Sequence, residues 1–385
     1  MSAKWPKVRL GEVLKPVSRA EPVDISKEYK LIGVRLDGKG AFLREVVNGA
    51  ATSAKTLYRV ATGDFIYSRL FAWRGAFDVI KSDLNGCYVS GEFPTFIPFE
   101  KKLDPYFLCY WFRLPKTLDR VNQDCSSSTP LTRNRFKEQF FLELEIPLPP
   151  LAEQWRIVAR IEELAGQISK ARERYREVDA EIQAMLFATY KRIVETDVFA
   201  PMSSVAPLTR RPINVDRTKV YPQVAVRSFG NGTFHRPPLR GDEVTWQKPY
   251  LIRTSDILIS NIKAWEGAIA VATTADNDHV GSHRYLTCVP KLGVATARFV
   301  CFHLLTPEGL RAVGEASPGS ADRNRTLSAN RLMQIPIPVP VYEEQLKFDK
   351  LCEQIDAIKR LQADIAAKLD ALLPSILDKA FKGEL

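Results

Sequence analysis

The stretch EIPLPPLAEQWRIVARIEEL, Glu145 to Leu164, places three prolines within four positions and then passes at once into apolar residues with helical spacing. Proline fixes its own φ and pushes the residue before it out of the helical region, so the run reads as a stiff extended segment that aims the helix behind it. The same grammar returns as IPIPVPVYEEQLKFDKLCEQI from Ile335 onward. A shift of 191 residues carries Ile146 onto Ile337 and Gln154 onto Gln345. Two such entrances point to a duplicated chain.

Working outward, the register holds. A shift of 192 lays VRLDGKGAFLRE (Val34 to Glu45) on VRSFGNGTFHRP (Val226 to Pro237), and TGDFIYSRLFAWRGAF (Thr62 to Phe77) on TSDILISNIKAWEGAI (Thr254 to Ile269). YFLCYWFRLP meets RFVCFHLLTP at 192, and TRNRF meets DRNRT at 190. The chain is therefore read as a tandem duplication in which each half is a globular region followed by a long helix. Within each region DFIYSRL, CYVSGEFPTFIPF, DILISNI and RYLTCVP read as strands punctuated by Gly, Pro and Asp. DPYFLCYWFRLPKTL and ATARFVCFHLLTPEGL read as helical, which gives an α+β class with two mixed domains. The boundaries expected are 1–148 and 196–338 for the globular domains, with 149–195 and 339–385 for the helices.

Along the first helix, positions 158, 161, 165, 168, 172, 175, 179, 182, 186, 189 and 193 step by three and four, and eight of the eleven are apolar. Positions 348 to 376 do the same, with eight apolar of nine. Stripes this narrow are coiled-coil seams. A helix could instead bury its stripe on its own domain, but some 40 residues reach on the order of 60 Å, beyond the width of one domain. Pairing the helices antiparallel gives the molecule a pseudo-two-fold axis. Arg172, Asp179 and Gln362 interrupt the seams, as polar residues that set register do.

The composition of 385 residues, 45% apolar with a formal charge of +10, suits a folded protein with a polyanionic partner. Cys87, Cys109, Cys125, Cys288, Cys301 and Cys352 form no CxxC pair, which argues against zinc and disulfide frameworks and for small buried residues in a reducing cytosol. The first residues carry no apolar run of signal-peptide type and no segment is long and apolar enough for a bilayer, so a cytoplasmic, membrane-free protein is expected. His279 and His283 read as turn residues rather than metal ligands.

With these residues in view, the chain resembles the specificity subunits of type I DNA restriction-modification systems. IPLPPLAEQWRIVARIEEL is similar to the central conserved region of that family, SILDKAFKGEL (Ser375 to Leu385) to its carboxyl end, and GDFIYSRL and SDILISNI to a recurring strand of its target-recognition domains. The second entrance, VPVYEEQ, is the more diverged. The resemblance implies a non-catalytic subunit whose two domains read a bipartite target in double-stranded DNA while the helices span the unread spacer. It also implies two modification subunits, which bind S-adenosylmethionine and methylate adenine, and up to two restriction subunits, which use ATP and magnesium.

The residues agree with a non-catalytic role. No [DNS]PP[YFW] element is present to hold a flipped base, since the two adjacent-proline sites read LPPL and RPPL, and no GxxxxGK[ST] loop occurs. Asp64 and Asp256 read as turn-capping residues. For DNA readout the candidates are forked or hydroxyl donors in the duplicated loops: Arg35 and Arg227 at the Gly-rich turns, Arg69 and Lys263 between strand and turn, Arg133, Arg135, Arg323 and Arg325 near the RNR repeats, and Ser127 in the serine run. Matched sites that differ, Arg74 against Glu266 and Ser90-Gly91 against Ser282-His283, are expected to carry base choice. Trp73 and Trp265 are read as core residues ahead of base-stacking ones. The competing readings are a protein-binding adaptor with two heads, and an enzyme acting on DNA unaided.

Overall fold

The computed structural model describes residues 5–99, 102–125, 135–195, 198–244, 248–319 and 325–385. They form two compact units, residues 1–175 with 363–385, and residues 176–362, so each long helix contributes one part to each unit.

In the first unit a five-stranded sheet runs Ala20–Pro22, Thr56–Arg59, Tyr88–Val89, Glu28–Val34 and Ala41–Asn48. A four-stranded sheet runs Leu14–Val17, Thr95–Pro98, Phe65–Tyr67 and Phe77–Val79. The second unit keeps the same plan, with Val220–Val226 and Thr233–Arg240 as its long hairpin and Ile257–Ser260 between Ile269–Val271 and Tyr285–Cys288. Its outermost pairings shrink to single bridges, Leu208 with Cys288 and Pro212 with Tyr250.

The repeat extends to backbone conformation. Left-handed positions Asp37, Gly63 and Gly86 recur at Phe229, Ser255 and Asp278, each at the shift of 192 found in the sequence. The cores use different chemistry in the same places. Phe65, Tyr67, Phe77 and Phe96 fill the first unit, and Ile257, Ile259, Ile269 and Cys288 fill the second. Both segments expected to be helical break in two, Pro105–Trp111 with Pro115–Gln123 and Ala297–Leu305 with Pro307–Glu315. Pro115 and Pro307 have no N–H to continue a ladder and start the second helix instead, the latter behind Thr306, whose hydroxyl accepts from Gly309 N.

The proline entrances are strands. Glu145–Pro147 pairs antiparallel with Lys7–Arg9, and Pro336–Pro338 with Phe199–Pro201. The helices Leu151–Ile193 and Tyr342–Lys382 follow. Each turns on a buried glutamine. Gln154 Oε1 accepts from Asp104 N (2.8 Å) while Nε2 donates to Lys102 O and Pro149 O, both at 2.9 Å. Gln345 repeats this with Thr296 N (3.1 Å), Val294 O (3.0 Å) and Pro340 O (2.9 Å). One side chain thus ties domain, proline run and helix start together.

Within the first unit the helices run antiparallel: Arg156 bonds the carbonyl of Leu385 at 2.9 Å and Arg172 reaches Asp370 at 2.5 Å. The Arg172–Asp370 pair is exposed and contributes little stability. Ile157, Val158 and Ile161 join Leu377 and Ala380 in the domain core. In the second unit Leu186, Tyr190 and Ile193 pack with Phe299, Phe348 and Ile355. The seam is buried where a domain covers it, whereas seam positions Ile358, Ile365 and Leu372 remain 37 to 44% exposed. A lone helix pair covers less of its stripe than a domain does. Among the cysteines, Cys87, Cys109, Cys288 and Cys301 are buried, and Cys125 and Cys352 partly so.

Candidate nucleic-acid interface

The sharp turn of each long hairpin is bonded to the short helical turn that follows the central strand. Asp37 N donates to Arg74 O (2.8 Å) and Gly38 N to Gly75 O (3.0 Å); Phe229 N and Gly230 N donate to Glu266 O and Gly267 O, both at 2.8 Å. A side chain at Gly38 would run into Arg113, so the close approach as well as the positive φ requires glycine there. These contacts place Arg35 and Arg74 together in the first unit, and Arg227 and Lys263 together in the second.

Most of these cations are steered by aromatic rings. Arg35 lies 4.2 Å over Phe42 and Arg227 lies 4.9 Å over Phe234, the same hairpin pair in each unit. Lys263 and Arg325 both lie against Trp265, at 5.3 and 5.1 Å. Arg74 is exposed, 6.0 Å from the Trp73 ring and 4.0 Å from the Asp37 carboxylate. The rings hold these cations in place but do not leave all of them free: Arg227 donates to Thr233 O at 2.6 Å, Lys263 pairs with Glu266 at 2.6 Å, and Arg325 donates to Gly314 O at 3.3 Å. Neither tryptophan is core: Trp73 is 36% exposed and Trp265 half-buried, because each ring folds onto its own turn and donates Nε1 to Leu70 O or Ile262 O at 3.2 Å.

Arg69 and Arg135 differ. Arg69 pairs with Glu138 and donates to Gly91 O at 2.6 Å, and Arg135 pairs with Glu92 at 2.6 Å. With Lys137 and Gln139 they line a cleft of about 430 Å³. Ser90 is exposed at its rim loop, its hydroxyl 3.4 Å from Glu92 N, and His283 is half-buried in the matching loop. The register puts Asn261, not Lys263, opposite Arg69. Ser127, Arg133 and Arg323 lie outside the described residues.

Asp64 and Asp256 do bend the backbone as expected, accepting from Ala61 N and Arg253 N at 2.8 Å. Each also takes a bidentate arginine unnoticed in the sequence, Arg19 at 2.6 and 3.0 Å and Arg211 at 2.6 and 3.1 Å. The signal was there: Arg19 and Arg211 are 192 apart, as are the two aspartates. Among the described residues, no group of three or more His, Cys, Asp or Glu is placed to hold a metal, and no helix is long and apolar enough to cross a membrane.

The family model for the type I restriction modification DNA specificity domain matches residues 3–178. The type I restriction enzyme EcoBI specificity subunit of Escherichia coli is 24% identical over 317 residues, covering 72% of this chain and 65% of that relative. Over residues 3–178 the chain is therefore similar to the DNA specificity domain of type I restriction-modification systems. Two solved structures share the fold of the chain. The HsdS subunit from Thermoanaerobacter tengcongensis superposes with a TM-score of 0.59 at 20% identity, covering 100% of this chain and 98% of that one. A chain from a structure described as the basis of complex assembly and conformational transition of the type I R-M system gives a TM-score of 0.72 at 22% identity, covering 99% of this chain and 98% of that one. The match spans 65% of the length of the E. coli relative.

Proposed function

We propose that this chain is the sequence-reading subunit of a type I restriction-modification enzyme in the cytoplasm. Each globular domain, 1–148 and 196–338, reads one half of a bipartite DNA target, and the paired helices set the unread spacer. The chain scaffolds two modification subunits and up to two restriction subunits and performs no chemistry itself. S-adenosylmethionine then belongs to the former, ATP and magnesium to the latter.

The observation that carries this reading is the doubled platform of hairpin turn and helical turn, which presents ring-steered cations twice on one backbone plan with different chemistry. Arg35 and Arg227, kept in both halves, suit phosphate or shared contacts, whereas Arg74 against Glu266 and Ser90-Gly91 against Ser282-His283 suit base choice. Arg69, Lys263, Arg135 and Arg325 complete the described surface, with Ser127, Arg133 and Arg323 proposed beside them. The exposed apolar Leu361, Ile365 and Leu372 of the second long helix suit partner-subunit packing.

The test is the methylated-adenine pattern of genomes with and without this gene, together with binding of the subunit–methyltransferase complex to duplex DNA across salt. A bipartite methylated motif that disappears with the gene, and an affinity falling by orders of magnitude between about 50 and 200 mM salt, are expected. Flat salt dependence with no motif would favour the protein-binding adaptor.

A further inference from the structure

Three buried side-chain atoms among the described residues have no hydrogen-bond partner: Glu92 Oε2, Asn261 Oδ1 and Arg113 Nε. Arg113 Nε is a donor, and its guanidinium lies 4.8 Å over the Tyr110 ring. The other two occupy the same junction in the two units. In the first, Arg69 N donates to Glu92 O and Phe136 N to Arg69 O, both at 2.9 Å. In the second, Asn261 N donates to Arg284 O (2.8 Å) and Leu327 N to Asn261 O (2.7 Å). Position 69 matches 261 and position 92 matches 284, so one backbone junction holds an unpartnered acceptor oxygen twice, contributed by opposite members of the pair.

A buried acceptor without a donor is a cost that folded proteins rarely carry without a water, an ion or a ligand to relieve it. Resting on the DNA-reading proposal, the donors available are the exocyclic amines in the major groove, cytosine N4 and adenine N6. Glu92 offers acceptors only. Its Oε1 is held at 2.6 Å by Arg135, whose remaining N–H groups, with those of Arg69, face the same cleft and suit guanine O6 and N7. Asn261 offers an acceptor and a donor on one amide, the pair that matches adenine N6 and N7. The geometry points to Glu92 as the reader of a cytosine amine in the first half-site, and to Asn261 as the reader of an adenine in the second.

Two isosteric substitutions exchange these chemistries. Glu92→Gln adds a donor and Asn261→Asp removes one. The subunit–methyltransferase complex is used to select duplexes from a library randomised across both half-sites. With Glu92→Gln, one position of one half-site should move from cytosine toward adenine by roughly 10- to 100-fold, with every other position unchanged. Asn261→Asp should move one position of the other half-site from adenine toward cytosine by a similar factor. An unchanged motif in both variants, or uniformly weaker binding to the same motif, overturns the assignment while leaving the DNA-reading proposal intact. Failure of the unsubstituted complex to select any motif would remove both.

Discussion

Replacing Gln154 with alanine deletes three hydrogen bonds at once in a side chain that is 0% exposed. The Asp104 N–H and the carbonyls of Lys102 and Pro149 lose their partner in a space too enclosed for water to serve them all. At about 1 kcal/mol for each lost bond, and a further ~1 kcal/mol for the cavity, the first unit should lose about 4 kcal/mol. Gln154→Glu makes a sharper case. It keeps an acceptor for Asp104 N but turns a carboxylate oxygen toward two carbonyl oxygens, so it should be worse than alanine at pH 7. At pH 4.5 or below it should recover in part, because the protonated carboxyl regains one donor.

Hydrogen exchange under increasing denaturant separates the two units, which a single melting curve would not. Gln154→Ala should speed exchange around 104–108 and 145–158 and leave 296–300 and 342–349 near their original rates. Gln345→Ala should do the reverse. A loss below about 1 kcal/mol, or the same loss in both units from either substitution, would refute the idea that this glutamine locks each domain to its own helix.

Inserting four residues into each long helix adds about 6 Å, so the spacer of the methylated motif should lengthen by about two base pairs; an unchanged spacer would end the ruler role. Asp64→Asn, which dissolves the bidentate contact with Arg19, should cost about 2–3 kcal/mol by denaturant titration. Phe229 holds φ at 61° with its ring 77% exposed, so Phe229→Gly should raise stability by about 1 kcal/mol by relieving strain without losing burial. His303, bonded to Tyr190 and pushed by burial down to about 4, favours the fold above pH 6.5 and loses that contribution as pH falls toward 4. Asp349, pushed by burial up to about 6, has the opposite slope between pH 6 and 3.8, so Asp349→Asn should steepen acid destabilisation and His303→Gln should flatten or reverse it.

The duplication, the entrances and the helix pair were legible because each rests on backbone demands that leave a linear trace: proline at fixed spacing, glycine at positive φ, and a three-four apolar stripe. The core tryptophans were misplaced because AW.GA has the composition of a core segment, while the ring's actual neighbour is a carbonyl of its own turn. Arg69 and Arg135 looked like free DNA contacts because their carboxylate partners stand 69 and 43 residues away. No local pattern reports such a pairing. The two glutamine locks and the two Arg–Asp pairs were recoverable in principle, since both members of each recur at the repeat shift.

The repeat therefore serves as an internal comparison of one backbone under two sets of side chains. What both units keep, Gln154 with Gln345, Asp64 with Asp256, Arg19 with Arg211 and the left-handed positions, is buried or bonded to backbone and holds the scaffold. What they change includes apolar core residues, swapped for other apolar residues, and the polar chemistry of three loops that the scaffold holds in place: Asp37 against Phe229 at the hairpin turn, Arg69 and Arg74 against Asn261 and Glu266 after the central strand, and Glu92 against Arg284 at the junction. A domain bound to a uniform partner would have little cause to keep its frame and alter the polar chemistry of these loops. Two domains reading two different short sequences would need that division.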